Sequence, residues 1–207
     1  MKDVQVKNPI VEVNFDEAKV LADLGAIVQE LDSIMKMCLR LKKLLEEESK
    51  DSLLIESLWT TALIKYARCF NTGKRFGLDE SILNGLKGEA HKAHKFYLDM
   101  RDKHIAHSVN PFEQTQVSLV LSPKDSHEKK VVGVAILSIR HMVSDVQGVH
   151  QLGLLSKVLL EKVCKIAKQY ENKTLEKGKT IPIDDLYKRA RPRITAPGPE
   201  ESDKPRL

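Results

Sequence analysis

Arg101, His104 and His107 fall within one run, Arg101-Asp102-Lys103-His104-Ile105-Ala106-His107-Ser108, which joins side chains suited to anion binding with side chains suited to proton transfer. A guanidinium grips two phosphate oxygens at once, and an imidazole takes or gives a proton near neutral pH. Together they suit phosphodiester chemistry. On RNA that chemistry needs no metal and no other cofactor. The 2′-hydroxyl is a built-in nucleophile; once deprotonated, it attacks phosphorus while a nearby cation steadies the developing charge, and a 2′,3′-cyclic phosphate results. A single histidine does not comfortably act as both base and leaving-group acid. A two-fold dimer that brings two Arg/His pairs into one cleft resolves the shortage.

The residues that must position this run read as a helix. Asp79 can cap it, and its stripe Leu83, Leu86, Ala90, His94, Tyr97 leads directly into Arg101. At 100° per residue, Arg101 falls to one side of that stripe and His104 near its middle. His107 lies on the other side, about 120° from Arg101 and about 9 Å further along the axis. Arg101 and His107 then flank a groove, with His104 as a core or interface residue.

Apolar residues spaced three and four apart mark the other long elements. Leu24, Val28, Leu31, Met35, Cys38 and Leu45 predict a first helix from Asp16 to about Lys50, interrupted only by Lys42. A second is predicted from Asp51-Ser52, with Ile55, Leu58, Trp59, Ala62, Tyr66 and Phe70 on one face and Asn71-Thr72-Gly73 as its stop. After Asn110-Pro111 the period shortens. Val117, Leu119 and Leu121 alternate, and Val131 to Ile139 is β-branched and apolar, predicting a hairpin over about 115–139 around a polar loop, Ser122 to Lys130. A last helix is expected from about Val143 to Lys173, with Leu152, Leu155, Leu159, Val163, Ile166 and Tyr170 as its seam. The expected fold is mainly α: an antiparallel four-helix up-down bundle with a small hairpin inserted before the last long helix.

One domain over 1–179 is the expectation, followed by 180–207. Ile183, Leu186 and Tyr187 there can dock as a short helical turn, and the last fifteen or so residues, Pro-rich and charged, read as disordered. Net charge is +5, but residues 161–207 hold 12 Lys/Arg against 8 Asp/Glu and so carry most of it. Basicity is therefore weak support for RNA binding by the body of the protein. The three cysteines, Cys38, Cys69 and Cys164, lie far apart with no metal-finger spacing and read as thiols of a reducing cytoplasm. Neither a leader-like apolar segment nor a bilayer-length apolar stretch is evident, so no membrane association is expected.

A helical bundle whose penultimate long helix ends in Arg-polar-x-x-x-x-His resembles the HEPN superfamily, many of whose members are RNA-cleaving toxins and abortive-infection proteins. Arg101-Asp102 and His107 carry the resemblance, together with the order of helices and the hairpin before the last one. It implies a homodimer that cuts RNA without metal, with Arg101 and His107 facing their counterparts across the interface and Asp102 helping to orient the site. It also implies a possible antitoxin protein as partner. In some members a nucleotidyltransferase antitoxin modifies a tyrosine two positions after the motif histidine; this chain has Val109 there. Other members bind nucleotides or partners without cutting, which is the alternative function.

Each of these residues also has a plainer reading. Arg101 and His107 can be cations at a helix C-terminus, facing exposed carbonyls, and Asp102 a solvated partner of nearby bases. Arg68, at the end of the second helix, reads first as an exposed or capping residue, and as a supporting group for Asp102 or a second phosphate if it turns into the cleft. His91, His94, His104 and His107 form two His-x-x-His pairs, but most of three turns separates the pairs, and no metal site is expected. His94 reads as a satisfied residue of the bundle, Trp59 and Tyr66 as core anchors.

Overall fold

A computed structural model describes residues 4–70, 75–106, 113–140, 142–194 and 200 of the chain. They are mainly helical: α1 Asp16–Glu46, α2 Ser52–Cys69, α3 Ala90–Asp99, α4 Val146–Lys179 and α5 Ile183–Arg189. Four strands accompany them, β1 Val4–Ile10, β2 Glu113–Leu121, β3 Val131–Arg140 and β4 Arg191–Ile194. Two compact units result, residues 23–165 and residues 1–22 with 166–207. The division crosses α1 and α4, whereas composition places a boundary at residue 179. Among the described residues, no helix is long and apolar enough to cross a membrane.

The unit 23–165 holds the apolar core, which runs from Leu24 to Val163. On α1 the buried positions Leu24, Ile27, Leu31, Ile34, Cys38, Leu41 and Leu44 keep the three-four spacing. Val28, Met35 and Leu45, expected on the stripe, are only half-buried. The stripe is rotated because α1 is covered from two sides. Glu30 meets Lys65 of α2, and Cys38 Cβ lies where a side chain on Gly153 of α4 would begin, 3.1 Å from the position of that absent Cβ. Asp51 caps α2 by accepting the Leu54 N–H at 3.0 Å. The helix buries Ile55, Trp59, Ala62, Leu63, Tyr66 and Cys69 and ends before the stop expected at Asn71-Thr72-Gly73, which lies outside the described residues.

The helix that carries the chemical run is shorter than its sequence predicts. Asp79 does cap, accepting the Ser81 N–H at 2.9 Å, but the element it opens is a single 3-10 turn, Glu80–Leu83. Gly85 (φ 80°) and Gly88 (φ 75°) then take left-handed backbone, which a helix cannot pass through, so α3 starts only at Ala90. Lys162 of α4 holds the 3-10 turn by donating to the carbonyls of Ile82 (2.6 Å) and Asn84 (3.0 Å). His94 and Tyr97 are the residues α3 buries. On α4, Val149, Leu152, Leu155, Leu159 and Val163 are buried, as is Ser156. Asp145 receives the Gly148 N–H at 2.7 Å at its start.

β2 and β3 form the expected antiparallel hairpin, slightly longer than 115–139, with Val117 opposite Ile136 and Leu119 opposite Val134. The register slips between Val120 and Leu121, where Val132 is the extra residue.

In the other unit β1 pairs antiparallel with β4, Val4 opposite Ile194. Neither strand was expected. β1 combines a short alternation with an internal Pro9, and β4 falls at Arg191-Pro192-Arg193-Ile194, where composition alone favours disorder. The rest of that tail, 195–199 and 201–207, lies outside the described residues. α5 is the short helix anticipated around Ile183, Leu186 and Tyr187, but Ile183 and Tyr187 are exposed and do not dock as anchors. Lys177 reaches Glu17 at 2.6 Å, holding that carboxyl below its ordinary range through the hydrogen bond.

Candidate functional site

α3 does not continue into the Arg101 run as an α-helix. Met100–Ala106 is a π-helical turn, a widened conformation that occurs mostly as short insertions and often at functional sites. Met100 is its anchor: the side chain is buried, and its N–H reaches the carbonyls of Phe96 and Tyr97. Upstream, Tyr97 is packed edge-on against Trp59 and Tyr66, at 6.3 and 5.8 Å between ring centres, and its hydroxyl donates to the Gly148 carbonyl at 2.9 Å. The base of the turn is thus tied to α2 and to the start of α4.

A π turn holds more residues than the 3.6 of an α turn, so the 100° projection fails from Met100 onward. His104, expected at the middle of the buried stripe, is half-buried, and Met100 takes the fully buried place. Arg101 is also half-buried, and its Nη1 lies 2.6 Å from Oδ1 of the exposed Asp102. Lys103 pairs with Asp99 one turn back, at 3.1 Å. The structure therefore brings Arg101 and Asp102 together and sets His104 in the same turn. His107, expected from the sequence to transfer the proton, lies outside the described residues.

Arg68 does not pair with Asp102. Its Nη2 is 3.2 Å from Glu30, a carboxylate it shares with Lys65. Glu30 is largely shielded, with 16% of its side chain exposed, while Arg68 is about half exposed. Glu30 escapes sequence reading because, on α1, it is one more charge beside an apolar stripe. Only the packing of α2 gives it two cations.

The remaining histidines of α3 turn to different partners. His91 faces Glu80 at 3.5 Å. His94 is buried, 2.8 Å from the Tyr66 hydroxyl through Nδ1, with the Phe70 ring 4.4 Å away between centres. Burial holds the His94 imidazole below its ordinary pKa and lifts the phenol of Tyr66 above its own. A hydroxyl that keeps its proton beside an imidazole that stays neutral is a structural pair, joined by one hydrogen bond between the Tyr66 hydroxyl and Nδ1. Trp59 and Tyr66 are core anchors, as their positions on the second helix imply. The thiols of Cys38 and Cys69 are buried, and desolvation pushes each up to about 12, which removes them as nucleophiles.

Among the described residues, no group of three His, Cys, Asp or Glu side chains is close enough to hold a metal ion together. In the unit that contains β1 and β4, an open cleft of about 880 Å³ is lined in part by Glu12, Asn14, Lys19, Lys188 and Arg189. Its cations are already engaged, Lys19 by Asp16, Lys188 by Asp185, and Arg189 by the Glu12 carbonyl.

The chain matched none of the protein families, curated proteins or solved structures with which it was compared. Any functional reading therefore rests on the Arg101 turn itself.

Proposed function

We propose that this chain is a cytoplasmic, HEPN-like four-helix bundle that acts as a homodimeric, metal-independent endoribonuclease on single-stranded RNA, in toxin or antiphage defence and under the control of an antitoxin protein. The observation that carries the reading is the Arg101–Asp102 pair, half-exposed on a π turn at the end of α3, at motif spacing from His107. Arg101 would bind the scissile phosphate and stabilise the charge that develops on it. His107 would remove the 2′-hydroxyl proton as O2′ bonds to phosphorus. As the bond from phosphorus to O5′ breaks, His107 of the partner subunit would return a proton to the leaving oxygen. Asp102 holds the guanidinium in line, and His104 and Arg68 support the turn and the helix beside it.

The test is incubation of the purified protein with mixed single-stranded RNAs in excess EDTA, against Arg101→Ala and His107→Ala. Cleavage leaving 2′,3′-cyclic phosphate ends, lost in both variants, is the expected result. Equal cutting by wild type and variants overturns the site. A second reading is a non-catalytic nucleotide- or partner-binding module on the same fold, favoured by the apolar exposure of the β2–β3 hairpin. Nucleotide or partner binding without any cutting would establish it.

A further inference from the structure

The β2–β3 hairpin presents one continuous apolar face to water. Val117, Leu119, Leu121, Val131, Val134 and Ile136 lie on that side, and each is more than half exposed. The opposite side also exposes Val120, Leu137 and Ile139, but on β2 it is interrupted by Gln114, Gln116 and Ser118, and on β3 by Gly133. A two-stranded hairpin is at best marginally stable in water by itself, and three or more strands or a packed face are needed to secure it. Here the strands are nine and ten residues long, with neither proline nor lysine in either to discourage association.

From this face we infer that the hairpin is a dimerisation arm, whose occupant is the same face of a second copy of this chain. Size is the first argument. The six side chains leave on the order of 600 Å² in water, near the upper end of what a monomer ordinarily exposes in one patch and close to the roughly 800 Å² each partner gives to a standard interface. Charge is the second. The six side chains are uncharged, the Thr115 and Ser138 hydroxyls, 3.3 Å apart, continue the face, and Glu113 opposite Arg140 ends it. A two-fold axis through the six apolar residues therefore sets no like charges against each other there. Two such faces packed about 10 Å apart form a small sandwich that supplies each hairpin with the cover it lacks.

The arm goes beyond the ribonuclease reading, which sets Arg101 and His107 across a dimer interface but gives the hairpin no part in holding it. It also bears on that reading. Only residues 107–112 separate the π turn from β2, so a dimer held by the hairpins tethers two motif turns within one particle.

Light scattering and sedimentation on the full chain test the arm, comparing wild type with Leu119→Lys and Ile136→Lys, and with the strand-compatible Leu119→Thr/Ile136→Thr. Leu154→Lys, at an exposed apolar site on α4, serves as the control. Circular dichroism checks that each variant is folded. At about 100 µM, above the µM-to-pM range that standard interfaces span, wild type and the control should be dimers. Each lysine variant, which places like charges across the axis, should dissociate at least about 100-fold more readily, and the threonine variant should weaken in the same direction. A monomeric wild type overturns both the arm and the composite ribonuclease site. Dimers that survive all the hairpin substitutions overturn the arm alone, and the RNA-cutting comparison then decides the site independently. A wild type that instead binds lipid vesicles as a monomer overturns self-association in favour of a membrane surface.

Discussion

Acidification should destabilise this protein through His94. The imidazole is 3% exposed, its Nδ1 is 2.8 Å from the Tyr66 hydroxyl, and the Phe70 ring covers it. Burial disfavours the imidazolium, Glu80 partly opposes that effect and His91 reinforces it, and the folded pKa lies below the ordinary value. Above about pH 6.5 both folded and unfolded chains hold a neutral His94, and its full contribution to stability is present. As pH falls through 6.5, the unfolded chain takes up a proton that the folded one refuses. Stability is then lost until the folded pKa is reached, at no more than about 1.4 kcal/mol per pH unit for one group. Between pH 6.5 and 5.5 the loss should therefore be at most about 1 kcal/mol. The Tyr66 partner adds a second handle. At pH 7.5, Tyr66→Phe strands Nδ1 and His94→Leu strands the hydroxyl, and each should cost about 1–3 kcal/mol. Removing both groups together should restore most of that loss, because no buried polar atom remains unpaired. Equilibrium urea unfolding at half-unit steps of pH reads all three effects. A double variant whose stability falls between pH 6.5 and 5.5 as steeply as wild type would refute the role of His94. A double variant as weak as the sum of the two singles would refute the pairing.

Gly153→Val should destabilise by about 1–3 kcal/mol, because any Cβ at 153 meets Cys38 Cβ at 3.1 Å; thermal unfolding should show a drop of several degrees. Thiol titration of the native protein should modify Cys164, which is exposed, and leave Cys38 and Cys69 unreacted until denaturant is added. Prompt reaction of all three in buffer would contradict the burial of these thiols on α1 and α2.

Helix existence and the hairpin were legible from spacing, because amphipathic periodicity over many residues reports directly on burial. Asp51 and Asp79 were likewise readable as caps. What spacing could not supply was the phase of α1: Leu24, Leu31 and Cys38 are buried as expected, but Ile27, Ile34 and Leu41 replace Val28, Met35 and Leu45 because two helices, not one, cover it. The glycines at 85 and 88 were visible, yet their positive φ depends on the turn that Lys162 holds from far along the chain. Widening of the helix at Met100 left no local signature either. Hydrogen-bond register is set by what the end of the helix packs against, and that altered the placement of His104 without altering the identity of any residue. β1 and β4 were missed because a strand of ordinary composition becomes visible only through its pairing partner, here more than 180 residues away.

Arg101 and Asp102 are consecutive, and a contact between chain neighbours does not require the fold that surrounds it. The unfolded chain has the same two groups within reach, so the pair adds little to the difference between folded and unfolded states. Under the proposed function its effect falls on binding. An anion arriving at this turn does not meet a bare cation; it must exchange with a carboxylate that the backbone keeps permanently at hand. Selectivity at Arg101 is therefore competitive by construction. Only a ligand that outdoes a tethered carboxylate, through two oxygens on one guanidinium or through further contacts across the turn, gains from occupying it.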